Sequence, residues 1–306
     1  MKNLFIKWLD NESSKAEQSR NTEQVDWFRI VPFIGIHLAC FAVIWVGISP
    51  IAVIVCALSY FIRMFAITAF YHRYFSHKTF KTSRTLQAVF AIIGATATQR
   101  GPLWWAAHHR HHHLNSDTEK DTHSPRDGFI NSHVSWFLKK KNFATDEKRI
   151  PDLKDYPELQ FIDRFDILFP VLYATFMFGL GYLLNALFPA LGTSHWQMLV
   201  WGYFISTVFL AHITFFINSL AHVFGKREYE TGDDSRNNFF LAILTLGEGW
   251  HNNHHCYPGS VKQGFKWWQI DISYYLIKAM EKMGLVWDLK YPNHGFLEKK
   301  KIRAGQ

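Results

Sequence analysis

The run IVPFIGIHLACFAVIWVGISPIAVIVCALSYFIRMFAITAFY, residues 30–71, decides the fold of this chain of 306 residues. It is apolar almost throughout and carries one turn signal, GISP at residues 47–50. A helix rises about 1.5 Å per residue and the apolar core of a bilayer is about 30 Å thick, so one crossing needs about 20 residues. The run therefore predicts two membrane spans, 30–47 and 50–71, joined by a tight turn.

One charged residue, Arg63, lies within the second of these predicted spans. A charged side chain in the apolar core is costly, and long basic side chains near a helix end commonly extend to the headgroups. We therefore expect the helix to run past the membrane and the Arg63 guanidinium to reach the interface. A functional role near the headgroups is the alternative.

A second apolar block covers residues 167–218 and is interrupted by the sequence PALGTS at 189–194. By the same length argument it predicts two further spans, 167–188 and 196–218. Two other apolar pieces are too short to cross a bilayer, and the first is typical of a helix lying at the membrane interface: residues 86–99 and 239–246.

The distribution of basic residues predicts the orientation of these spans. The net charge is +8, yet the two short turns contain no Lys or Arg, and all basic residues except Arg63 lie in the N-terminus, the long middle loop and the C-terminus. By the positive-inside rule these three regions are cytoplasmic, and every histidine cluster lies with them on one side. The basic balance then reflects contact with anionic headgroups. No DNA- or RNA-binding motif is present, so we expect no nucleic-acid partner.

The predicted architecture is an all-α integral membrane protein with four transmembrane helices in two hairpins beneath a cytosolic helical cap. The first 29 residues have no apolar core, so membrane entry is expected from internal segments rather than from a cleavable signal peptide. In chain order, the parts are a cytosolic N-terminal segment, hairpin 1, the first part of the cap, hairpin 2, and the second part of the cap with a basic tail: 1–29, 30–71, 72–166, 167–218 and 219–306.

Histidines are clustered in the two polar regions that form the predicted cap. The spelling H-x-x-H-H begins at His109 and again at His251, and a looser H-x-x-x-x-H begins at His72. Positions i, i+3 and i+4 share a helix face, so each H-x-x-H-H run is expected to point three imidazoles toward one spot. The i, i+5 pair is about 140° apart on an ideal helix and is expected to converge only around a helix end. At the end of the fourth predicted span, Asn218 and His222 are spaced i, i+4.

This much imidazole indicates transition metals, because nitrogen ligands suit Fe, Cu, Zn or Ni whereas Mg and Ca prefer oxygen. The candidate ligands exceed the four to six that one metal takes, so two metal ions are expected. Membrane substrates are mostly hydrocarbon, and a general base cannot remove a proton from an aliphatic C–H bond. A redox-active metal that activates oxygen is therefore favoured, and iron is the first candidate. The candidates are His72, His77, His109, His112, His113, His222, His251, His254 and His255, together with Asn218.

Several acids near the clusters are not at ligand spacing and are expected to hold the ring tautomers instead: Glu248, Asp117, Glu119 and Asp121. A non-redox membrane zinc protein, either a hydrolase or a metal carrier, is the alternative from another functional class.

At these residues the sequence resembles the membrane fatty acyl desaturases, specifically the stearoyl-CoA (delta-9) branch. The resemblance covers roughly residues 30–275. It implies a di-iron centre with the nine histidines as ligands and Asn218 contributing through a water. It also implies a mushroom-like shape, with an acyl tunnel entering the cap. The family's motifs are matched in order and spacing by residues 72–77, 109–113, 218–222 and 247–255.

The resemblance also implies substrate contacts. Gln99, Trp105 and Thr214 match tunnel positions beside the irons, where the acyl chain bends and the carbon pair to be oxidised is selected. Animal acyl-CoA members place an Arg-Asp pair before the second cluster, against the CoA nucleotide, whereas this chain has Ala107-His108. Acyl-CoA is the carrier that the branch implies, and an acyl lipid or acyl carrier protein stays open.

The implied reaction is O2-dependent removal of one hydrogen from each of two adjacent methylenes, giving a cis double bond at delta-9 of a saturated long-chain acyl thioester. The chain lacks the His-Pro-Gly-Gly haem motif of fused cytochrome b5 domains. Two electrons per turnover are therefore expected from a separate electron-transfer protein of the ferredoxin or cytochrome b5 type. A di-iron fatty acid or lipid hydroxylase on the same scaffold is the nearest alternative, because hydroxylation diverges after the same first C–H cleavage.

Overall fold

The computed structural model describes residues 2–14 and 23–303, and nearly all regular structure there is helical. The only paired strands in this described part are two residues long: β1 (Lys81–Thr82) pairs antiparallel with β2 (Val286–Trp287). A helix, α1 (Lys2–Leu9), precedes the apolar blocks. The predicted all-α class is confirmed.

The first apolar block forms two helices, as its turn signal predicts. They are α2 (Val31–Val46) and α3 (Pro50–Ser76), which is 27 residues long. Between them Gly47 adopts a φ of +65°, which glycine tolerates and other residues avoid. The Ser49 hydroxyl accepts a hydrogen bond from the Ala52 amide and so caps the start of α3.

The segment between the two apolar blocks forms four short helices. The short apolar piece there is helical, as expected, and it packs closely on α3, because a Cβ added at Gly94 would collide with the Tyr71 ring. The four helices are α4 (Arg84–Ala95), α5 (Pro102–Asn115), α6 (Phe129–His133) and α7 (Pro157–Arg164).

The second apolar block also forms two helices, α8 (Leu168–Leu187) and α9 (His195–His222), with 20 and 28 residues. Gly192 in their turn has a φ of +60°, and the Ser194 hydroxyl caps α9. The two helices approach closely near the turn, because a Cβ added at Gly181 would lie 2.6 Å from the Cα of His195. This contact is the packing expected of an antiparallel hairpin with small residues at its interface.

Three helices of the described chain, α3, α8 and α9, are long and apolar enough to cross a membrane. The fourth candidate, α2, is apolar but shorter. Its 16 residues extend about 24 Å, less than the thickness of a typical apolar core. The four-span topology therefore stays a prediction.

The Arg63 side chain is buried inside the protein, so the expectation that it extends to the headgroups is wrong. The residue is only 1% exposed. Its guanidinium donates to the backbone carbonyls of Ser59 and Thr96. It also donates to Thr207 Oγ1 at 2.6 Å and to Ser206 Oγ at 2.5 Å. The reason is that α3 turns this side chain toward the hydroxyl groups of α9 and away from lipid.

Four further helices complete the chain, and both α3 and α9 continue beyond the predicted span ends to reach them. An aromatic core packs around the end of α3, where the rings of Phe70 and Phe90 stack with centroids 3.8 Å apart. The same core contains residues of α9, so this packing fixes the ends of α3 and α9 that carry histidines. The remaining helices are α10 (Phe239–Leu244), α11 (His251–Cys256), α12 (Ile272–Lys282) and α13 (His294–Lys300).

Candidate metal centre

All nine candidate histidines lie together and form two adjoining groups. Within each group, one ligand atom from every residue lies within 4.8 Å of the others. The rings of His113 and His255, one from each group, have centroids 4.4 Å apart. The clusters therefore meet at one end of the long helices, as a shared site requires. The five-histidine group is His72, His77, His109, His113 and His254, and the four-histidine group is His112, His222, His251 and His255.

Each H-x-x-H-H run divides between the two groups, which corrects the expectation that its three rings share one spot. The first and last histidines of each run stay together and the middle one joins the other group. Positions i+3 and i+4 lie about 100° apart around a helix, so they do not both follow position i. In α5, His112 separates from His109 and His113, and in α11, His254 separates from His251 and His255.

His72 and His77 meet because the end of α3 is wound more widely than an α-helix. Residues Ala66–Ser76 are π-helical. In such a segment the amide of residue i+5 donates to the carbonyl of residue i, and the His77 amide donates to the His72 carbonyl at 3.2 Å. The two ring centroids are 4.9 Å apart. The predicted convergence at a helix end is confirmed, and the wide winding explains it.

Four of the nine rings place Nδ1 against a carboxylate oxygen, at distances of 2.5 to 2.9 Å. An ionised carboxylate only accepts hydrogen bonds, so each of these rings donates from Nδ1. In a neutral ring this leaves the Nε2 lone pair directed into the group. The pairs are His72 with Glu248, His112 with Asp121, His222 with Asp117, and His255 with Asp233.

The inward nitrogens fit bound metal ions. The Nε2 atoms of His77 and His109 are 2.8 Å apart, and those of His222 and His251 are 3.0 Å apart. Two nitrogens that bind one ion at about 2.1 Å and at right angles would lie about 3.0 Å apart. Within the described residues, the buried Nε2 of His255 has no hydrogen-bond partner, as expected of a nitrogen that binds a cation.

The electrostatics of the site keep six of the nine imidazoles neutral. Burial lowers the pKa of His255 to about 4, although the Asp233 carboxylate acts in the opposite direction. A neutral imidazole is the form that binds a metal. Burial, followed by repulsion from neighbouring rings, lowers the pKa well below its ordinary value for His77, His109, His113, His251 and His254.

The aspartates beside the rings stay ionised. Burial alone would raise the pKa of Asp117, but the hydrogen bond with His222 lowers it below the usual range. The pKa of Asp233 is lowered in the same way, against the effect of burial, by its attraction to His255. Each carboxylate therefore remains an acceptor that orients its ring.

Glu248 is held by a buried ion cluster that sequence patterns did not reveal. Arg73 donates to Glu248 Oε1 at 2.9 and 3.1 Å and pairs with Asp271 at 2.9 Å. Gly247 has a φ of +126°, and a Cβ there would collide with the Asp271 carboxylate. These contacts leave the second oxygen of Glu248 for Nδ1 of His72.

Of the acids expected to hold the rings, three do so and Glu119 does not, since it is exposed at the surface. The fourth carboxylate that holds a ring is Asp233, which accepts from His255 and was not predicted. It lies 22 residues before His255 in a segment without helical spacing, so no periodic signal pointed to it. Asp121 has a second neighbour in His123, whose ring centroid lies 4.2 Å from that of His112.

A cavity of about 200 Å³ lies beside the histidines, and all three predicted tunnel residues line it. Gln99, Trp105 and Thr214 are joined in its wall by His109 and Asn218. The Trp105 ring stacks on the His109 ring with centroids 4.9 Å apart. Gln99 Nε2 donates to Thr214 Oγ1 at 3.1 Å. The cavity therefore passes directly against the five-histidine group.

The pair Ala107-His108 offers no charge for binding a nucleotide. Ala107 is 1% exposed. The His108 ring packs against Trp104 and Trp136, with centroid distances of 4.4 and 5.6 Å. Burial lowers the pKa of His108 to about 3, so the ring is neutral at physiological pH. An uncharged pair does not provide the charge-assisted phosphate contacts that Arg makes.

Comparison with known proteins identifies the relatives of this chain. The acyl-CoA 5-desaturase of Anemone leveillei is 35% identical over 296 residues, which cover 93% of this chain and 86% of that protein. The sn-1 stearoyl-lipid 9-desaturase of Anabaena variabilis is 34% identical over 87% of this chain and 94% of its own length. The delta-9 acyl-lipid desaturase 1 of Arabidopsis thaliana is 35% identical, over 91% of this chain and 88% of that protein.

The model of the fatty acid desaturase family matches residues 48–289. This match includes all nine histidines of the two groups and both long apolar helices that carry the first and third motifs. The predicted resemblance is therefore confirmed, and the chain belongs to the fatty acid desaturase family.

Proposed function

We propose that this protein is an O2-dependent desaturase that forms a cis double bond at delta-9 of a saturated long-chain acyl group. The observation that carries the proposal is the cavity that runs from the side chain of Trp105 past the ring of His109. Two relatives named as 9-desaturases support the position of the double bond. Family membership supports the reaction type.

Two iron ions are the metals we propose for the two histidine groups. The five-histidine group would hold one and the four-histidine group the other, with Asn218 contributing through a water. The donors in both groups are imidazole nitrogens, which suit iron and other later transition metals rather than Mg or Ca. When bound, iron supplies the oxygen activation that cleavage of an aliphatic C–H bond requires.

The residues of the cavity would orient the acyl chain rather than exchange protons with it. Gln99 and Thr214 line the cavity and are joined by a hydrogen bond, and the Trp105 ring stacks on the His109 ring. A chain that bends at this level would present two adjacent methylenes to the histidine groups. Each methylene loses one hydrogen, and O2 takes up these two hydrogens together with two electrons and two protons, so that it ends as two waters. A separate ferredoxin or cytochrome b5 type protein would supply the electrons.

Expression in cells that lack their own desaturase tests this function. The wild-type protein is expected to produce mono-unsaturated fatty acids, measured by gas chromatography, and His251→Ala, His254→Ala and His255→Ala are expected to abolish them. His294→Ala is the matched control, because this histidine lies outside both groups. Full activity in all three of the His251, His254 and His255 variants would contradict their assignment as metal ligands. A hydroxy fatty acid in place of the olefin would support the hydroxylase alternative.

The acyl carrier that we propose is coenzyme A, and a membrane glycerolipid is the second candidate. A relative named as an acyl-CoA desaturase supports the first. The neutral Ala107-His108 pair, which stands where animal acyl-CoA members have an Arg-Asp pair against the nucleotide, favours the second. Purified protein supplied in turn with stearoyl-CoA and with a saturated glycerolipid separates them, since only the correct carrier yields an unsaturated product.

For the membrane, we propose four crossings with both termini and the histidine groups on the cytoplasmic side. The proposed division remains 1–29, 30–71, 72–166, 167–218 and 219–306. Its support is the absence of Lys and Arg from the two short turns of the sequence and the meeting of all histidine clusters at one end of the helices. The electron-transfer protein would then dock from the cytoplasm.

A further inference from the structure

The cavity beside the histidines follows one face of α9 toward the middle of the helix. Asn218, Thr214, Ala211 and Thr207 line it and recur every three or four residues. Thr207 lies three turns from Asn218, so this wall extends about 16 Å along the helix from Asn218. An apolar chain that passes the histidines would run along this face.

A buried polar cluster adjoins Thr207, which lies at the end of this wall away from Asn218. Thr207 Oγ1 accepts a hydrogen bond from Arg63 at 2.6 Å, and Ser206 Oγ accepts another at 2.5 Å. The Thr96 carbonyl accepts a third at 3.2 Å, and the guanidinium lies 4.9 Å from the centroid of the Tyr173 ring. Within the described chain, no carboxylate lies at ion-pair distance from Arg63. We call these five residues the Arg63 cluster.

The position of Arg63 on α3 agrees with the position of Thr207 on α9. Arg63 precedes His72 by nine residues, which places it no more than about 14 Å along the helix from that ring. Two different helices therefore place the Arg63 cluster at a similar depth below the histidine groups. Because the cluster also ties α3 to α9 and to the end of α4, its position is rigid.

We propose that the Arg63 cluster is the floor of the acyl cavity and limits how far a chain extends beyond the histidines. This inference rests on the proposed desaturase function. A methyl end that advanced past Thr207 would have to displace hydrogen bonds of a buried charged group, and a charge left without them is costly. The gain from burying one more methylene is small by comparison, so the chain stops at the floor.

A purely structural role for Arg63 makes a different prediction. Removing a clamp between helices lowers stability and total activity for every substrate alike. Removing a floor changes which chain lengths are accepted. The readout is therefore the distribution of unsaturated products over chain length, and not the amount of product.

The experiment supplies the purified, iron-loaded protein with a mixture of saturated acyl donors that differ only in chain length. Arg63→Met removes the guanidinium and keeps an apolar side chain, and it is expected to raise the proportion of longer products by about tenfold. Thr207→Leu adds volume at the end of the wall away from Asn218 and is expected to shift the distribution toward shorter products. Thr175→Ala removes an exposed hydroxyl that donates only to the Val171 carbonyl of its own helix and does not line the cavity, so it is the control with an unchanged distribution.

The outcomes separate the floor from the function itself. If the wild type is active and both Arg63→Met and Thr207→Leu give unchanged product distributions, the Arg63 cluster does not limit chain length. The proposed desaturase function is then unaffected. If Arg63→Met does not fold, an unchanged distribution in Thr207→Leu alone overturns the floor. A wild-type protein that makes no unsaturated product overturns the proposed function and the floor with it.

Discussion

Carboxylates distinguish the two histidine groups at the scale of single residues. In the four-histidine group, three of the four rings donate to an aspartate. In the five-histidine group, His72 is the only ring with a carboxylate partner among the described residues, and that partner is Glu248. A carboxylate that accepts from Nδ1 fixes the tautomer and raises the basicity of Nε2. Metal binding by the four-histidine group should therefore depend most strongly on its acids.

Replacing Asp233 tests this dependence. Asp233→Asn removes the charge beside His255 and is expected to weaken metal binding by about 10- to 100-fold. The iron content of the purified protein after a fixed chelator wash should fall from two ions per chain toward one. Asp234→Asn is the matched control, because this neighbour pairs with Arg126 through its side chain. Equal iron retention in the two variants would contradict the assigned role.

A pH dependence is expected from Asp163, a buried carboxyl outside the site. Burial raises the pKa of Asp163 to about 6, even though its oxygens accept from the Trp104 amide and the Thr145 hydroxyl at 2.7 Å. An aspartate in the unfolded chain titrates near about 4. Between these values the folded state keeps a proton that the unfolded state has released, so the contribution of Asp163 to stability falls as pH rises.

The variant Asp163→Asn is uncharged at every pH. Its Oδ1 can accept from the Trp104 amide and its Nδ2 can donate to the Thr145 hydroxyl, so the second hydrogen bond is kept with its direction reversed. Its stability relative to the wild type should therefore increase from about pH 4 to about pH 6 and stay constant above that. Melting temperatures of the two proteins, measured side by side across this range, check the prediction. A difference that does not change with pH would show that Asp163 titrates normally.

Local backbone geometry places the rings at the scale of helices and turns. The π-helical end of α3 brings the i+5 ring under the i ring, and the turn at Gly247 joins α10 to α11. That turn brings the backbone against Asp271, which pairs with the same Arg73 that holds Glu248. A change in the turn should therefore reach His72 through Glu248.

Gly247→Ala is expected to destabilise the protein by about 1–3 kcal/mol, because its φ of +126° is strained for alanine and the new Cβ collides with Asp271. The variant should also bind less iron. Thermal unfolding and iron content measure the two effects. Gly232→Ala is the control in a nearby loop, where an added Cβ meets no atom within 4 Å, and its effect should stay within about 0.5 kcal/mol. Indistinguishable unfolding of the two variants would argue against a strained turn.

Topology is the property of the whole molecule that remains a prediction. In a variant without the native cysteines, Ile48→Cys should react with a membrane-impermeant thiol reagent from outside intact cells, because the turn between α2 and α3 faces away from the cytoplasm. Trp267→Cys should react only after the cells are permeabilised. Both positions are exposed in the fold, at 67% and 91%. Reaction of both from the same side would contradict the four-span topology.

Sequence patterns predicted the helical class and the nine converging histidines because both depend on local spacing. Apolar runs of about 20 residues and the H-x-x-H-H spelling are visible without any knowledge of tertiary contacts. The burial of Arg63 was not predictable, because its partner Thr207 lies 144 residues away. The role of Asp233 and the division of each histidine run likewise depend on how distant segments pack.

Product analysis with the purified, iron-loaded protein tests the central claim most directly. The protein would be supplied with a saturated long-chain acyl donor, an electron donor and O2, beside an otherwise identical anaerobic sample and the His251→Ala variant. The prediction is a cis mono-unsaturated product with its double bond at delta-9, formed only by the wild type and only with O2. A hydroxylated product, or an olefin formed equally without O2, would contradict a di-iron desaturase.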